Sequence, residues 1–320
     1  MKVLLTGGAG FIGSHLAEAL LAQGDSVISL DDLSTGSLEN LEAIKANPKF
    51  TSVTGSILDA QLVEKLVSSV DGVMHFAAAV GVQKILRDPQ GSLLTNIQGS
   101  EIVLSIAARL KKRALLASSS EIYGKNPNMP LSEESDRVLG SPLMARWTYS
   151  EAKAIDESLA RTLFEKEGFK VSIIRLFNTV GPRQSSAYGM VIPSFFKAAM
   201  SGEDLVIHGD GSQQRVFGYV SDAVSGILAL WNSEVGYGQA FNLGGFEEIS
   251  IKELAERIIE MTGSKSEITY LSYQELAKQG FEDLSRRVPD TSKLTKATNW
   301  RATNSLDDIL QKTYSSLVVK

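Results

Sequence analysis

The chain has 320 residues, 43% of them hydrophobic, and a net charge of −5. That suffices for one large domain or two modest ones, and the interspersed charge offers no basic face for nucleic acid. Cysteine is absent, which excludes disulfides, zinc–thiolate sites and thiol nucleophiles, and the histidines His15, His75 and His208 are too scattered to predict a metal site.

Val3-Leu4-Leu5-Thr6 predicts a first strand. Lys2 and three apolar residues do not make a signal peptide. No window holds about eighteen uninterrupted apolar residues, so a cytoplasmic chain without a membrane span is expected. Gly7-Gly8-Ala9-Gly10-Phe11-Ile12-Gly13 follows, then a helix from Ser14 to Gln23 and a second strand, Ser26 to Leu30, ending in Asp31-Asp32. Gly7 permits a sharp turn, Gly10 lets a pyrophosphate approach the backbone, and Gly13 lets the helix pack closely on the sheet. The N–H groups and dipole of the helix start then face the phosphates. Asp31 or Asp32 can accept hydrogen bonds from an adenosine ribose and would repel a 2′-phosphate, so NAD is expected over NADP.

Phe50 to Val53 predicts a third strand, followed by a turn and a helix, Ala60 to Ser68. Asp59 either faces an adenine edge or caps that helix. Gly72 to Phe76 predicts a fourth strand with His75 buried, and Ala77-Ala78-Ala79 leaves room for a cofactor diphosphate. Ser92 to Leu110 predicts a long helix and Ala114 to Ser118 a fifth strand. Alternating strands and helices imply a doubly wound parallel sheet that binds ligands beyond the carboxyl ends of its strands.

Arg146 to Glu167 predicts a second long helix, and Val171 to Arg175 a sixth strand. Tyr149 and Lys153 lie four apart near the start of that helix and share a face. A phenol is a poor base at neutral pH, with a free pKa of about 10. The Lys153 ammonium is expected to lower it, giving a general base for a hydroxyl proton. Ser118-Ser119-Ser120-Glu121 follows the fifth strand, where a serine hydroxyl can hydrogen-bond the reacting oxygen. Later helices are predicted at Ile192–Met200, Ser221–Trp231, Ser250–Thr262 and Ser305–Leu317, in a smaller part that caps the cleft.

Gly7–Gly13, the Ser118–Gly124 segment (SSSEIYG), Tyr149 with Lys153, and Arg175-Leu176-Phe177-Asn178 resemble the extended short-chain dehydrogenase/reductases. Within them the chain is similar to nucleotide-sugar epimerases, dehydratases and decarboxylases. The resemblance continues through Gly209 to Arg215, Phe241 to Gly244 and Arg287 to Asp290. It implies a Rossmann domain over residues 1–176, to which a segment near 216–246 returns, and a nucleotide-sugar-binding α/β part over 177–320. It implies NAD held by Gly7, Gly10, Phe11, Ile12, Gly13, Asp31, Asp32, Asp59 and Ala77, with Lys153 on the nicotinamide ribose. Tyr149 would be the base and Ser119 its hydrogen-bonding partner. Asn178, Arg215 and Arg287 would contact the nucleotide diphosphate, as suits bidentate arginine donors, and Asp290 the nucleoside ribose.

The resemblance also bears on the reaction. Dehydratases carry Asp-Glu where this chain has Ser120-Glu121, which argues against dehydration. Decarboxylases carry a Ser-Glu pair like this one, but a Tyr-Asp-Glu-Gly-Lys motif where this chain reads Tyr149-Ser150-Glu151-Ala152-Lys153. Arg146 to Tyr149 and Asn178 to Gln184 look like a branch that includes uronic-acid 4-epimerases, in which Ser119, Ser120, Thr179 and Arg183 could bind a C6 carboxylate. The expectation is an NAD-dependent UDP-sugar 4-epimerase acting through a 4-keto sugar, on UDP-glucuronic acid or UDP-glucose. The alternative is a UDP-glucuronic acid decarboxylase, with Glu121 among the substrate contacts in either case. A non-catalytic NAD sensor would be expected to lack Tyr149 or Lys153. A homodimer is expected through helices 92–110 and 146–167, with Leu104, Ile106, Ala107, Leu110, Ile155, Leu159 and Leu163 as its apolar surface.

Overall fold

The computed structural model describes residues 1–81, 88–144, 146–185, 190–272 and 284–318. Strands β1 (Lys2–Thr6), β2 (Ser26–Asp31), β3 (Phe50–Thr54), β4 (Gly72–His75), β5 (Arg113–Ser119) and β6 (Val171–Leu176) form one sheet with the later strand Ala240–Leu243. The spatial order is Ala240–Leu243, β6, β5, β4, β1, β2, β3. Every neighbouring pair is parallel. The chain therefore winds outward both ways from β1, and the crevice at that switch opens at the carboxyl ends of the strands.

The strand sequences suit a sheet covered on both faces. Val3, Leu4 and Leu5 are all fully buried, because helices leave neither face to water. The helices Phe11–Ala22 and Val220–Trp231 pack on one side with Leu294 and Trp300. Helices Ala60–Ser68, Pro89–Arg109 and Trp147–Glu167 pack on the other. Two helices begin earlier than the apolar spacing suggests. Gly10 is the N-cap of the first, so Phe11 already belongs to it. Asp88 caps the long one by accepting from Gly91 N, and Pro89 fits its first turn. Leu104, Ile106 and Ala107, expected on an interface between protomers, are buried in the chain's own core instead. Ile155 is 47% exposed.

The rest of the chain builds a smaller body on its own core of Phe196, Leu254, Ile258 and Leu310. Helices Val191–Ser201, Ile251–Thr262 and Leu306–Val318 supply most of it. The short strand Gln214–Val216 pairs antiparallel with Glu248–Ser250 and parallel with Arg286–Arg287. That register sets Arg287 directly beside Arg215. Among the described residues no helix is long and apolar enough to cross a membrane. Nor do three or more His, Cys, Asp or Glu side chains among them group as a metal site.

Candidate active site

The carboxyl ends of β1, β2, β4, β5 and β6 open into a cleft of about 1000 Å³, which extends to Phe195, Val206 and Arg215 of the smaller body. Residues from each expected group line it. Gly7, Gly10, Phe11, Ile12, Gly13, Asp31, Asp32 and Ala77 are there. So are Ser119, Ser120, Glu121, Tyr149 and Lys153, and Asn178, Thr179, Arg183, Arg215 and Arg287.

The glycine turn is shaped by close approach. Gly7 has φ +71°, and a Cβ there would lie 2.7 Å from Ala77 N. A Cβ on Gly13 would lie 2.1 Å from Gly7 O. The helix Phe11–Ala22 has no side-chain cap and no acidic residue in its first turn. Its leading N–H groups and positive dipole end therefore face the cleft uncompensated by a side chain, as a pyrophosphate requires. Asp31 accepts from Ala9 N and Leu33 N, both at 2.9 Å, so it holds the glycine turn while lining the cleft. Asp32 accepts from Ser34 N and stands exposed beside it. These features fit a dinucleotide with a free ribose 2′-hydroxyl.

Tyr149 and Lys153 project together from the first turns of the helix Trp147–Glu167. Ser119, at the end of β5, hydrogen-bonds Tyr149. The Tyr149 phenol differs from the sequence expectation in sign. Burial raises its pKa, Lys153 lowers it, and Glu121 and Asp156 raise it again, so it lies above the ordinary value. The Lys153 effect is present but outweighed. Burial disfavours the Lys153 ammonium, yet Asp156, Tyr149 and Glu157 more than offset that and hold it above the usual lysine value.

Beside this pair lies a charge cluster. Arg287 Nη1 meets Glu121 Oε1 at 2.7 Å, and Arg146 Nη2 lies 3.5 Å from Glu121 Oε2. Burial pushes the Glu121 carboxyl up, but Arg287, Arg146 and Arg215 bring it down to about 2. Glu121 is thus an anion throughout the physiological range. Three arginines thus gather around one carboxylate at the cleft, and guanidinium forks suit an anionic ligand.

Other expected contacts have different partners. Asp59 caps the helix Ala60–Ser68 by accepting from Leu62 N at 3.0 Å and does not line the cleft; Gly55 and Ile57 do. Asp290 also lies off the cleft lining, its carboxylate accepting from Ser292 N at 2.9 Å while its N–H donates to Leu131 O. Both aspartates serve local turn geometry, which short polar side chains favour. Asn178 donates its amide to Val216 O. Thr179 donates its hydroxyl proton to Phe177 O. Arg183 binds Glu18 at 2.5 Å and Ser14 Oγ at 3.2 Å, so its charge pins its loop to the first helix. Sequence reasoning assigned no role to Arg146. The signal was its spacing, since three residues before Tyr149 is one helical turn.

Comparison with known proteins follows this geometry. The family model of GDP-mannose 4,6-dehydratase matches residues 4–313. A UDP-N-acetyl-α-D-glucosaminuronate decarboxylase of Bacillus cytotoxicus is 37% identical over 98% of this chain and 96% of its own length. UDP-glucuronic acid decarboxylase 1 of Xenopus tropicalis is 36% identical over 98% of this chain and 71% of its own. Among solved structures, DesIV of Streptomyces venezuelae, a dTDP-glucose 4,6-dehydratase with NAD bound, superposes with a TM-score of 0.91 at 29% identity, covering 100% of this chain and 98% of its own. A UDP-glucuronic acid 4-epimerase from Bacillus cereus, in complex with UDP-glucuronic acid and NAD, has a TM-score of 0.90 at 27% identity, covering 100% and 99%. The chain belongs to the GDP-mannose 4,6-dehydratase-type family of extended short-chain dehydrogenase/reductases, enzymes of sugar nucleotides.

Proposed function

We propose that the protein is an NAD-dependent decarboxylase of a UDP-linked uronic acid. The observation that carries this is the similarity, over 98% of the chain, to decarboxylases of two such acids. It favours decarboxylation over the 4-epimerase that the motifs alone suggest. The cluster of Arg146, Arg215 and Arg287 beside Tyr149 supports an acid substrate with an anionic diphosphate.

NAD, held by the Gly7–Gly13 turn and Asp31-Asp32, would supply the acceptor and later the donor of the C4 hydride. Tyr149 Oη takes the proton of the sugar 4-hydroxyl as a phenolate, the form that Lys153 and the positive nicotinamide ring of bound NAD would favour against burial, while Ser119 holds the same oxygen. The sugar then carries a ketone β to its C6 carboxylate. The C5–C6 bond breaks, CO2 leaves, and the electron pair moves into a C4–C5 enolate. Ser119 and Tyr149 stabilise the enolate oxygen by donating to it. A proton from solvent reaches C5, and Tyr149 gives its proton back to O4 when the C4 ketone is reduced. Glu121, ionised down to about pH 2, orients Arg146 and Arg287 instead of giving up that proton. Lys153 keeps its charge and steadies the phenolate.

The test is to incubate the purified protein with UDP-glucuronic acid and with UDP-N-acetylglucosaminuronic acid and follow CO2 and products by NMR. Loss of CO2 with formation of a UDP-pentose from either supports the reading. A C4 epimer formed without CO2 overturns it in favour of the epimerase.

A further inference from the structure

Behind Lys153 lies a buried carboxylate that the reaction above does not use. Asp156 is 1% exposed, and its Oδ2 accepts from Lys153 Nζ at 3.2 Å and from Ser100 Oγ at 2.9 Å. Ser100 Oγ also lies 3.1 Å from His75 Nε2, and His75 Nδ1 lies 2.7 Å from Thr6 Oγ1, which accepts from Ala77 N. The Lys153 ammonium makes Asp156 an acceptor, and the directions of the other bonds follow from that. Ser100 gives its single proton to Asp156, so it must accept from His75 Nε2–H. His75 Nδ1 is then an acceptor, and Thr6 donates to it. Every donor in the row points toward Asp156, which ends it as an acceptor. Burial raises the Asp156 carboxyl above its ordinary value, and Lys153 and Ser100 pull it back toward the anion. The row has no exit for a proton, because His75 and Thr6 are both fully buried.

We propose that Asp156 is a positioning residue for the Tyr149–Lys153 pair: its carboxylate clamps the Lys153 ammonium and cancels part of the positive field that Lys153 casts on Tyr149. The clamp also ties the catalytic helix to Ser100 of the helix Pro89–Arg109, to His75 of β4 and to Thr6 of β1, just before the glycine turn. Asp156 Oδ1 meets no hydrogen-bond donor among the described residues. The other charged groups in range are accounted for. Glu157, on the same helix, is paired with Arg175 of β6 at 2.7 Å. Glu121 is paired with Arg287 and Arg146. His75 stays neutral, since burial and Lys153 push it down to about 3. Asp156 is thus the carboxylate set directly against the lysine. This inference rests on the role given to Tyr149 above, and its test reads the phenol itself, so a wrong substrate assignment leaves it standing.

The experiment is NMR titration of the NAD-saturated protein carrying tyrosine labelled with 13C at Cζ, with Tyr149→Phe identifying the signal. Asp156→Asn keeps the shape and removes the charge. Its Tyr149 should ionise at lower pH by roughly 0.5–1, because the field of Lys153 is no longer tempered. Ser100→Ala removes a hydrogen bond but keeps the carboxylate, and should leave the Tyr149 midpoint in place. An unchanged midpoint in Asp156→Asn overturns the proposal, as does an equal shift in Ser100→Ala, which would mean loosening and not charge. Should Asp156→Asn fail to fold, the 13C shift of the Asp156 carboxyl in the unsubstituted protein decides: ionised at pH 7 supports the clamp, protonated refutes it.

Discussion

Arg287 Nη1 donates to Glu121 Oε1 at 2.7 Å although 166 positions separate them in the chain. Glu121 follows β5 of the large sheet, and Arg287 comes from a short strand of the smaller body. The pair therefore ties the two parts together across the cleft, and on the function proposed above Arg287 is a charge that the substrate's carboxylate would meet. Arg287→Ala should lower kcat/KM for the acid substrate by about 10²–10³-fold, the usual cost of one charged stabilising donor. Arg287→Lys should recover only part of this, because an ammonium lacks the guanidinium's planar fork. Steady-state kinetics on UDP-glucuronic acid check both. An Arg287→Ala enzyme within a few fold of the parent would show that the pair is structural.

The base is tested by an ordered series. Tyr149→Phe keeps the ring and its packing but removes the oxygen, so fold and NAD binding should survive while turnover falls by about 10²–10⁴-fold or more. Lys153→Met should reduce turnover and also weaken NAD, since one ammonium serves both. Ser119→Ala should cost least, because water can replace a lost donor more easily than a lost base. Retention of most activity by Tyr149→Phe on a verified substrate would sink the mechanism.

What could be read from the sequence divides along a physical line. The strand–turn–helix at Gly7–Gly13 and the Tyr149–Lys153 pair are local: their geometry follows from backbone conformation and helical spacing within a few residues. The sheet order follows from alternating strands and helices. Partner choice by long or capping side chains does not. Arg183 is close to Glu18 only because a loop 165 positions away folds onto the first helix. Asp59 and Asp290 look like ligand contacts in sequence, yet nearby backbone N–H groups satisfy them first. The sign of the Tyr149 shift was equally hidden, since burial and the Asp156 carboxylate act through the assembled core.

Cofactor choice should depend on Asp32 more than on Asp31. Asp31 is engaged with Ala9 N and Leu33 N, whereas Asp32 is exposed. NAD should bind at least about tenfold more tightly than NADP, a difference of about 1.4 kcal/mol. Asp32→Ala should narrow that gap with little loss of stability, while Asp31→Ala should loosen the glycine turn and weaken both. Calorimetric titration of each variant with each dinucleotide distinguishes them; equal affinities in the parent protein would refute the role given to the acidic pair.

A homodimer is expected through the outer face of the helix Trp147–Glu167. Ile155 there is 47% exposed, and with Leu139 and Leu159 it lines a shallow surface groove. A two-fold axis would set this face against its own copy. Light scattering at micromolar concentration should give twice the mass of the 34.6 kDa chain, and Ile155→Glu should give the monomer. A monomeric parent protein would rule the interface out.

The last expectation concerns stability and pH, and it falls on His75. Burial, with the Lys153 ammonium nearby, lowers its pKa from 6.5 to about 3 in the folded chain. The unfolded chain binds a proton there near pH 6.5, and the folded chain refuses it until far lower. A depressed folded value means that the stabilisation is complete above pH 6.5 and is lost as pH falls from there toward about 3. In that window one proton is taken up on unfolding, so stability should drop by about 1.4 kcal/mol for each pH unit from this group alone. Glu121 adds nothing until lower pH, because its folded value of about 2 matters only below the ordinary carboxylate range near 4.5. Other groups titrate in the same range, His15 among them, whose pKa burial also lowers, so the difference in urea-unfolding slope between the parent and His75→Gln between pH 7 and pH 5 isolates the histidine. His75→Gln can hydrogen-bond Thr6 and Ser100 without titrating, so its stability should be lower at pH 7 but should fall less steeply toward pH 5. The same slope in both proteins would mean that the folded chain protonates His75 after all, and that the row of hydrogen bonds ending at Asp156 is not oriented as the proton count requires.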